Sequence, residues 1–275
     1  LDPSRAGLLV GSRPVPLLSG EMHYWRLNPA RWRRCLESVR RLGLDMVATY
    51  IPWEYHELSP GAFDFEGRTE PERNLVGFLE LCREMSFHVL IRPGPYIYAE
   101  WTNAGVPDRV VSLPRWCRAY RREAQVWMRG ITDAIRPFFA TSTTRYPDGG
   151  PVVLFQPDNE TDIFSHWFEE ACGLSDGDRP GYLERDEPTL FSAFAREQYA
   201  NIAALNASWG TSLTGFDQAH PHASRRDSRD PASCRRHLDY WRFQHWAIRT
   251  TLRWHADTYR ALGVDIPMVG NYYPG

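Results

Sequence analysis

The chain has 275 residues, of which 43% are apolar and 24% are charged, and its formal net charge is −2. This composition is typical of a globular protein with a sizeable core, and the small net charge argues against a nucleic-acid or membrane-surface binder. No run of about eighteen apolar residues is present, so we expect no membrane span. All 32 basic residues are Arg. We interpret this as a compositional bias rather than a phosphate-binding surface, because the Arg residues are scattered among acids.

The cysteines and histidines do not predict a disulfide framework or a metal site. The five cysteines lie far apart, with no CxxC pair: Cys35, Cys82, Cys117, Cys172 and Cys234. We expect Cys35 and Cys82, at apolar helical positions, to be buried free thiols. The nine His have no HExxH-type spacing, and the HPH sequence at 220–222 lies in a polar loop with no carboxylate placed beside it. No metal and no cofactor are therefore predicted.

The N-terminal sequence indicates a cytoplasmic protein. Residues 1–16 lack an apolar signal segment and a small-residue cleavage site, although a first residue of Leu rather than Met is compatible with a leader that has been removed. The odd number of scattered Cys also favours the cytoplasm. The composition leaves room for a homo-oligomer.

Helices and short apolar strands alternate along the chain. The predicted strands are 15–25, 44–57, 87–101, 151–160 and 264–273. The predicted helices are 29–43, 73–86, about 114–140, 188–210 and about 233–262. Two of them end at a glycine, Gly43 and Gly210, as helices often do. This alternation predicts parallel β/α units.

The strand ends favour a (β/α)8 TIM barrel over a doubly wound open sheet. Each predicted strand ends in polar and aromatic residues, and barrel enzymes place their chemistry at those ends. No GxGxxG or phosphate-binding loop follows any strand, which argues against the open sheet. Only five of eight β/α units are visible, because residues 161–232 form a long excursion after the fourth strand. We therefore expect residues 1–275 to be one catalytic barrel domain that lacks its last three units.

Carboxylates and aromatic rings gather at the predicted strand ends. The carboxylates are Glu21, Glu54, Glu57, Glu100, Asp158 and Glu160. The aromatic residues are Tyr24, Trp25, Tyr50, Trp53, Tyr96, Tyr98, Trp101, Tyr272 and Tyr273. A sugar ring stacks its C–H face on aromatic rings while acids and amides bind its hydroxyls. Hydrolysis of a glycosidic bond needs two carboxyl groups, one of them protonated.

Four segments resemble the family 35 β-galactosidases among the retaining glycoside hydrolases. They are SGEMHYWR at 19–26, TYIPWEYHELSPGAFDFEG at 49–67, RPGPYIYAEW at 92–101 and the strand ending in DNE at 158–160. Beyond about residue 165, QYANIAALNASWGTS at 198–212 is more similar to the family 42 β-galactosidases, as is the Gln-x-Asp-Asn-Glu form of the fourth strand end. Both resemblances imply a barrel and a two-carboxylate mechanism.

The resemblance assigns roles to five residues. It implies that Glu160 is the acid/base and that Asn159 binds the sugar 2-hydroxyl. It implies that Tyr50, Ala99 and Glu100 line the galactose subsite, with Glu100 reaching sugar hydroxyls. The nucleophile of these families is a Glu at the end of the seventh strand, and no residue of this chain matches it. Pro157 departs from the pattern, since those families have a backbone N–H donor there.

The sequence supports a role in the site less strongly for several other residues. Those that could approach the sugar are Trp53, Tyr96, Tyr98, Trp101 and Tyr272. We expect Glu57 to brace the loop after the second strand. An alternative role for Glu100 is a salt bridge with Arg92 or Arg109.

The predicted function is that of a retaining exo-β-glycosidase, a β-galactosidase in the first place, acting on a β-linked galactoside or oligosaccharide. The alternatives are a catalytically inactive carbohydrate-binding barrel and a related β-glycosidase specific for glucosaminides, glucosides or fucosides. A metal-dependent barrel enzyme would need ligand clusters that the sequence does not contain. The 275 residues alone are expected to be inactive and poorly stable, since five β/α units leave exposed sheet edges.

Overall fold

The computed structural model describes residues 8–10, 13–15, 18–113, 115–140, 149–161, 186–220 and 230–271. The described residues group into two compact units. The first unit draws on Leu1–Arg109, Ala124–Glu160 and His255–Tyr272. The second draws on Val110–Glu123, Thr161–Trp254 and Tyr273–Gly275.

The strands found among the described residues belong to the first unit. They are β1 (Leu8–Val10), β2 (Arg13–Val15), β3 (Gly20–Glu21), β4 (Met46–Tyr50), β5 (Glu57–Ser59), β6 (Ala62–Phe63), β7 (His88–Arg92) and β8 (Val152–Phe155). Strands β3, β4, β7 and β8 form a parallel sheet in that order, whereas β1–β2 and β5–β6 are antiparallel pairs. Sheet order follows chain order without a reversal. This is the arrangement of a barrel rather than of a doubly wound sheet, as the strand ends predict.

The parallel strands are shorter than the sequence predicts. All residues of β4 and of β8 are buried. Strands that are covered on both faces of a parallel sheet have such largely apolar sequences. The predicted strands 44–57 and 87–101 continue into residues that the sheet does not use, because the polar and aromatic residues after Tyr50 and Arg92 form loops and the short helix at 53–56. The described part of the predicted strand 264–273, residues 264–271, contributes one parallel bridge, between Met268 and Phe155, rather than a full strand.

The helices lie where the sequence predicts them, most with narrower bounds, and two short helices at 53–56 and 108–111 are additional. In chain order, the helices are α1 (Trp32–Arg41), α2 (Trp53–His56), α3 (Leu75–Glu84), α4 (Asp108–Val111), α5 (Arg118–Ile135), α6 (Leu190–Gln198), α7 (Ile202–Trp209) and α8 (Pro231–Ala261). Short 3-10 turns cover Tyr24–Arg26, Pro29–Arg31, Pro71–Arg73, Arg136–Phe138 and Phe216–Gln218. None of the helices in the described part of the chain combines the length and apolarity that a membrane crossing needs.

The second unit contains two helices where the sequence predicts one over 188–210. The chain leaves the helical conformation at Tyr199, and Asn201 starts α7 by accepting a hydrogen bond from the Ala204 N–H. Gly210 ends α7 in the left-handed conformation, as expected. Phe243 packs edge-on against Phe191 and Phe194 in the core of this unit, and the rings of Phe191 and Phe194 are tilted by 52° to each other. The core also contains Leu205, Trp209, Trp246 and Ile248.

The pleat of the sheet determines which side chains meet at the strand ends. Tyr50 pairs with Arg92 across β4 and β7, two residues beyond the pair Ala48 and Leu90. Because side chains alternate between the two faces, Tyr50 and Arg92 continue the face on which Ala48 and Leu90 pack. Gln156 follows Leu154 on the same face, and its N–H donates to the Ile91 carbonyl. Three neighbouring strands therefore end in polar side chains at one level.

Cys82 is a fully buried free thiol, as predicted, and burial raises its pKa. Cys35 is also free but only half-buried. Cys172 lies outside the described residues.

Candidate active site

Asn159 is the centre of a hydrogen-bond cluster at the end of β8. The Tyr50 hydroxyl donates to Asn159 Oδ1 over 2.7 Å, and Gln156 Nε2 lies 3.1 Å from the same oxygen. Gln156 Nε2 also donates to the Asp158 carbonyl over 2.9 Å. Asn159 is 3% exposed, so these contacts hold its side chain in one place. The predicted partners Tyr50 and Asn159 are thus in direct contact.

Asn271 joins this cluster from the segment after α8. Its Nδ2 donates to Asn159 Oδ1 over 2.7 Å, and its Oδ1 accepts from Gln156 Nε2 over 2.9 Å. The same Oδ1 accepts the backbone N–H of Glu160 over 3.0 Å. Glu160 is exposed and has φ 41°, an uncommon backbone conformation for a residue with a side chain. Asn271 therefore contacts both Asn159 and Glu160, the neighbouring residues to which the resemblance assigns 2-hydroxyl binding and acid/base catalysis.

The loop after β7 carries strained backbone. Tyr98, Ala99 and Glu100 have φ of 58°, 49° and 46°, and so form a left-handed turn without glycine. Such conformations cost energy, and they persist where surrounding contacts enforce them. Arg26 supplies two of these contacts, since its Nη2 donates to the carbonyls of Ala99 and Glu100 at 2.5 and 3.1 Å. The turn places Ala99 against Tyr50 in a small buried cluster.

Aromatic side chains form one wall next to this turn. Trp25 donates its Nε1 to the Tyr50 carbonyl over 2.8 Å and meets Trp101 edge-on, with ring centres 4.9 Å apart. Trp101 Nε1 donates to the Glu54 carboxylate. His23 stacks on Trp25 at 5.1 Å and lies 5.5 Å from the Tyr50 ring. Trp101 and His23 are partly exposed and provide surface on which a sugar face would stack, whereas Trp25 and Tyr50 are buried and support them.

Two of the strand-end carboxylates are engaged in ion pairs. Glu21 pairs with Arg92 at 2.7 Å, and Glu57 pairs with Arg109 at 2.8 Å. Glu57 also accepts the Gly61 N–H, so it braces the turn between β5 and β6 as predicted. Neither arginine pairs with Glu100, which is exposed and makes no ion pair within the described ranges. Its carboxylate is thus available to a ligand.

The electrostatics keep Tyr50 and His23 neutral. Burial raises the pKa of Tyr50, and the carboxylates of Glu21, Glu160 and Glu100 act in the same direction, against Arg92. Burial, followed by the nearby Arg26 and Arg92, lowers the pKa of His23 to about 4, despite Glu100. Near neutral pH, the Tyr50 hydroxyl is therefore a hydrogen-bond donor and His23 is uncharged.

The structure brings together most of the predicted site residues. Tyr50, Ala99, Glu100, Asn159 and Glu160 lie around the ends of β4, β7 and β8, with Trp101 beside them. Tyr98 is 53% exposed and lies 6.5 Å, centre to centre, from the half-buried Tyr96. No contact in the described part of the chain ties this pair to Asn159.

Trp53 is placed differently from the prediction. Trp53 has no exposed surface and stacks on Trp127 at 6.0 Å, so it supports the site from the core instead of lining it. Tyr272 lies outside the described residues.

Sequence reasoning did not assign roles to Asn271, Gln156, His23 or Arg26. Gln156 and Asn271 lie near the C-terminal ends of the predicted strands 151–160 and 264–273, so the same strand-end rule that selected Asn159 could have selected them. His23 lies within the SGEMHYWR motif, but nothing in the pattern separates it from its aromatic neighbours. Arg26 has no local signal, because the carbonyls it binds lie 73 and 74 residues away.

Within the described ranges, no group of three or more His, Cys, Asp or Glu side chains is arranged to hold a metal ion. The HPH sequence at 220–222 lies only partly within those ranges. The site therefore offers amides, carboxylates, aromatic rings and a phenol. This set suits a neutral polyol such as a sugar.

Comparisons with known proteins place the chain among the glycosyl hydrolases. Residues 7–178 match the glycosyl hydrolases family 35, which covers more than half of the chain. The chain is 33% identical to a β-1,2-glucosyltransferase of Ignavibacterium album over 74% of its own length and 29% of that protein. It is 32% identical to an exo-β-D-glucosaminidase of Thermococcus kodakarensis, over 67% of the chain and 29% of that protein. It is 31% identical to a β-galactosidase of Mus musculus, over 58% of the chain and 24% of that protein.

The chain thus spans less than a third of the curated relatives it matches. Their names cover transfer and hydrolysis of more than one sugar, so similarity alone does not single out a substrate. Family 35 catalytic domains are (β/α)8 barrels, and the four-stranded parallel sheet in chain order is part of such a barrel. The chain belongs to family 35 of the glycosyl hydrolases.

Proposed function

We propose that the whole protein is a retaining exo-β-glycosidase that removes terminal β-galactosyl residues, with Glu160 as its acid/base. One observation carries this proposal. Asn159 and Glu160 stand together at the end of β8, and Asn159 is hydrogen bonded to Tyr50 at the end of β4. These residues match the family 35 positions assigned to the acid/base and its galactose subsite.

The reaction assigns Glu160 two successive tasks. As an acid, Glu160 gives its proton to the glycosidic oxygen while a second carboxylate attacks the anomeric carbon, so the leaving group departs as an alcohol. As a base, Glu160 then takes a proton from the water that releases the sugar from the second carboxylate. Because Glu160 is exposed, its carboxyl group is accessible both to the glycosidic oxygen and to the attacking water. The resemblance places the second carboxylate on a seventh strand.

The remaining residues would bind the sugar. Asn159 and the Glu100 carboxylate, which makes no ion pair in the described part of the chain, would bind sugar hydroxyls, and Trp101, supported by the buried Trp25, would provide an apolar wall. Galactosides are the proposed substrates because the motifs at 49–67 and 92–101 are those of family 35 β-galactosidases. The glucosaminidase and glucosyltransferase names among similar proteins support a second candidate, a β-glycosidase of another sugar specificity.

Replacement of Glu160 by Gln in the whole protein tests the acid/base role. General acid catalysis contributes about 10²–10⁴-fold, so kcat for alkyl β-galactosides should fall by roughly that factor. Nitrophenyl galactosides need little protonation, and their first step should be slowed far less. The measurement is kcat/KM for both substrate types, with Glu84→Gln, a surface carboxylate paired with Arg33, as the control.

Equal and small losses of kcat/KM on both substrate types would show that Glu160 is not the acid. Absence of hydrolysis by the unaltered protein, together with measurable galactoside binding, would support the carbohydrate-binding alternative.

A further inference from the structure

Asn159 Oδ1 is surrounded by donors. The Tyr50 hydroxyl and Asn271 Nδ2 both lie 2.7 Å from it, and Gln156 Nε2 lies 3.1 Å from it. A carbonyl oxygen has two lone pairs, so the two short bonds already saturate it. Hydrogen bonds within the protein therefore satisfy the Oδ1 side of the Asn159 amide completely.

Two backbone groups determine which way each amide in this cluster points. The Glu160 N–H can only donate, so the Asn271 atom that it meets must be Oδ1, and Asn271 Nδ2 then faces Asn159. The Asp158 carbonyl can only accept, so the Gln156 atom beside it must be Nε2. An Asn159 side chain turned by 180° would set its NH2 against the NH2 groups of both Asn271 and Gln156. Only the orientation with Oδ1 inward satisfies the cluster.

The opposite side of the amide therefore presents an NH2 group. Asn159 Nδ2 donates to no residue in the described part of the chain, and it is not among the fully buried side-chain atoms that lack a partner, so the small exposed part of this side chain leaves the NH2 group accessible. This NH2 group is therefore free to donate a hydrogen bond to a bound molecule that supplies an acceptor. The raised pKa of Tyr50 keeps its hydroxyl protonated, so this donor to Oδ1 persists over the neutral range.

We infer that Asn271 is a positioning residue that locks the Asn159 amide with its NH2 toward the ligand, so that the site selects sugars with a hydrogen-bond acceptor at C2. This inference rests on the proposed function, which takes Asn159 to contact the 2-position. A 2-hydroxyl accepts from the NH2 group. A 2-ammonium group has only donors and meets the Asn159 NH2 without a bond. The lock therefore favours neutral 2-hydroxy sugars over 2-amino sugars.

The first experiment compares three nitrophenyl β-galactosides that carry a hydroxyl, hydrogen or ammonium group at C2. We expect kcat/KM of the whole protein to fall at least about tenfold from the 2-hydroxy to the 2-deoxy substrate, and further for the 2-ammonium substrate. The deficit of the amino substrate should shrink as rising pH deprotonates its ammonium group. Asn159→Asp presents an oxygen to the ligand and should raise the amino-to-hydroxy ratio by at least about tenfold.

The second experiment replaces Asn271 by Ala. The variant should lose about tenfold in kcat/KM on the 2-hydroxy substrate and clearly less on the 2-deoxy substrate, because the locked amide matters only when the acceptor is present. A purely structural defect would lower kcat/KM for both substrates by the same factor. Asn28→Ala, which removes an Asn that caps the turn at Pro29–Arg31, is the matched control and should leave the ratio unchanged.

Calorimetric binding of galactose, 2-deoxygalactose and galactosamine separates this inference from the proposed hydrolysis. If the protein hydrolyses galactosides but binds or cleaves the 2-amino sugar as well as the 2-hydroxy sugar, the inference is overturned and the hydrolase proposal stands. If nothing is hydrolysed but galactose binds at least about tenfold more tightly than the other two sugars, only the hydrolase proposal fails. Absence of both binding and hydrolysis overturns both.

Discussion

Asp64 shows how one buried carboxylate organises a segment of the first unit. Its two oxygens accept hydrogen bonds from the backbone N–H groups of Glu66, Arg68 and Thr69 and from the Thr69 hydroxyl. Burial raises the pKa of Asp64, but the bonds from Thr69, Arg68 and Glu66 outweigh it and lower the pKa to about 2. The charged form of Asp64 thus stabilises the turn that follows β6.

Asp64→Asn should lower the free energy of unfolding by about 2 kcal/mol at pH 7, because one amide oxygen cannot serve four donors. The folded pKa is below the ordinary value of 3.8. The contribution is therefore complete above pH 3.8 and is lost as pH falls toward about 2. Urea unfolding at pH 7 and at pH 2.5 measures the difference between the two proteins. Glu66→Gln, an exposed carboxylate paired with Arg68, should change stability by much less. A difference that stays constant down to pH 2.5 would contradict this account.

At the scale of elements, the turn after β7 depends on a distant side chain. Gly94 has φ 74°, and a side chain there would approach Tyr96 N to 2.7 Å, so this start of the loop requires glycine. The left-handed residues 98–100 have side chains and no such freedom. Their conformation is instead supported by Arg26, whose guanidinium also lies 4.5 Å above the Trp25 ring.

Arg26→Ala should loosen this turn and the position of Glu100. We expect KM for galactosides to rise roughly tenfold with a smaller effect on kcat, since binding geometry rather than proton transfer is altered. Steady-state kinetics of the whole protein measure this split. Arg31→Ala removes an exposed arginine from the same region and serves as the control. A drop in kcat alone would contradict the role of Arg26 in sugar binding.

Element bounds were less predictable than element types. The alternation of apolar strands with amphipathic helices is local, so the sequence predicts parallel β/α units. Their ends depend on which residues pair with a neighbouring strand, and Trp53 leaves the sheet because it packs on Trp127 in the core. Similarly, the break between α6 and α7 follows from the Asn201 cap, which an apolar pattern over 188–210 conceals.

At the scale of the whole molecule, buried neutral histidines make stability depend on pH. His56 is fully buried, with its two ring nitrogens near the Tyr24 hydroxyl and the Asp64 carbonyl at 2.5 and 2.6 Å. Burial lowers the pKa of His56 to about 4, although the bond to the Asp64 carbonyl acts the other way. Burial also lowers the pKa values of His23 and His88.

Acidification should therefore destabilise the protein well before its carboxylates are protonated. Below pH 6.5 the unfolded chain takes up protons that folded His56 does not, and this loss continues until about pH 4. His56 alone should account for about 3 kcal/mol across that window, at about 1.4 kcal/mol per pKa unit. Guanidinium unfolding at pH 7.5, 6 and 4.5 measures the slope.

His56→Gln is expected to be less stable at pH 7.5 but to show a shallower loss on acidification. Leu42→Ala, which changes an exposed side chain without a titratable group, is the control and should leave the slope unchanged. Parallel stability curves for the His56 variant and the unaltered protein would contradict this assignment.

The sequence by itself determined the alternation of strands and helices, the family and the pair Asn159 and Glu160. These features reside in contiguous motifs and in periodic patterns that each segment carries on its own. Only the tertiary structure decided that Tyr50 and Asn271, which are 109 and 112 residues from Asn159, bond the same oxygen. The orientation of that amide, and with it the proposed preference at the sugar 2-position, follows from donors and acceptors that meet only when β4, β8 and the segment after α8 are packed together.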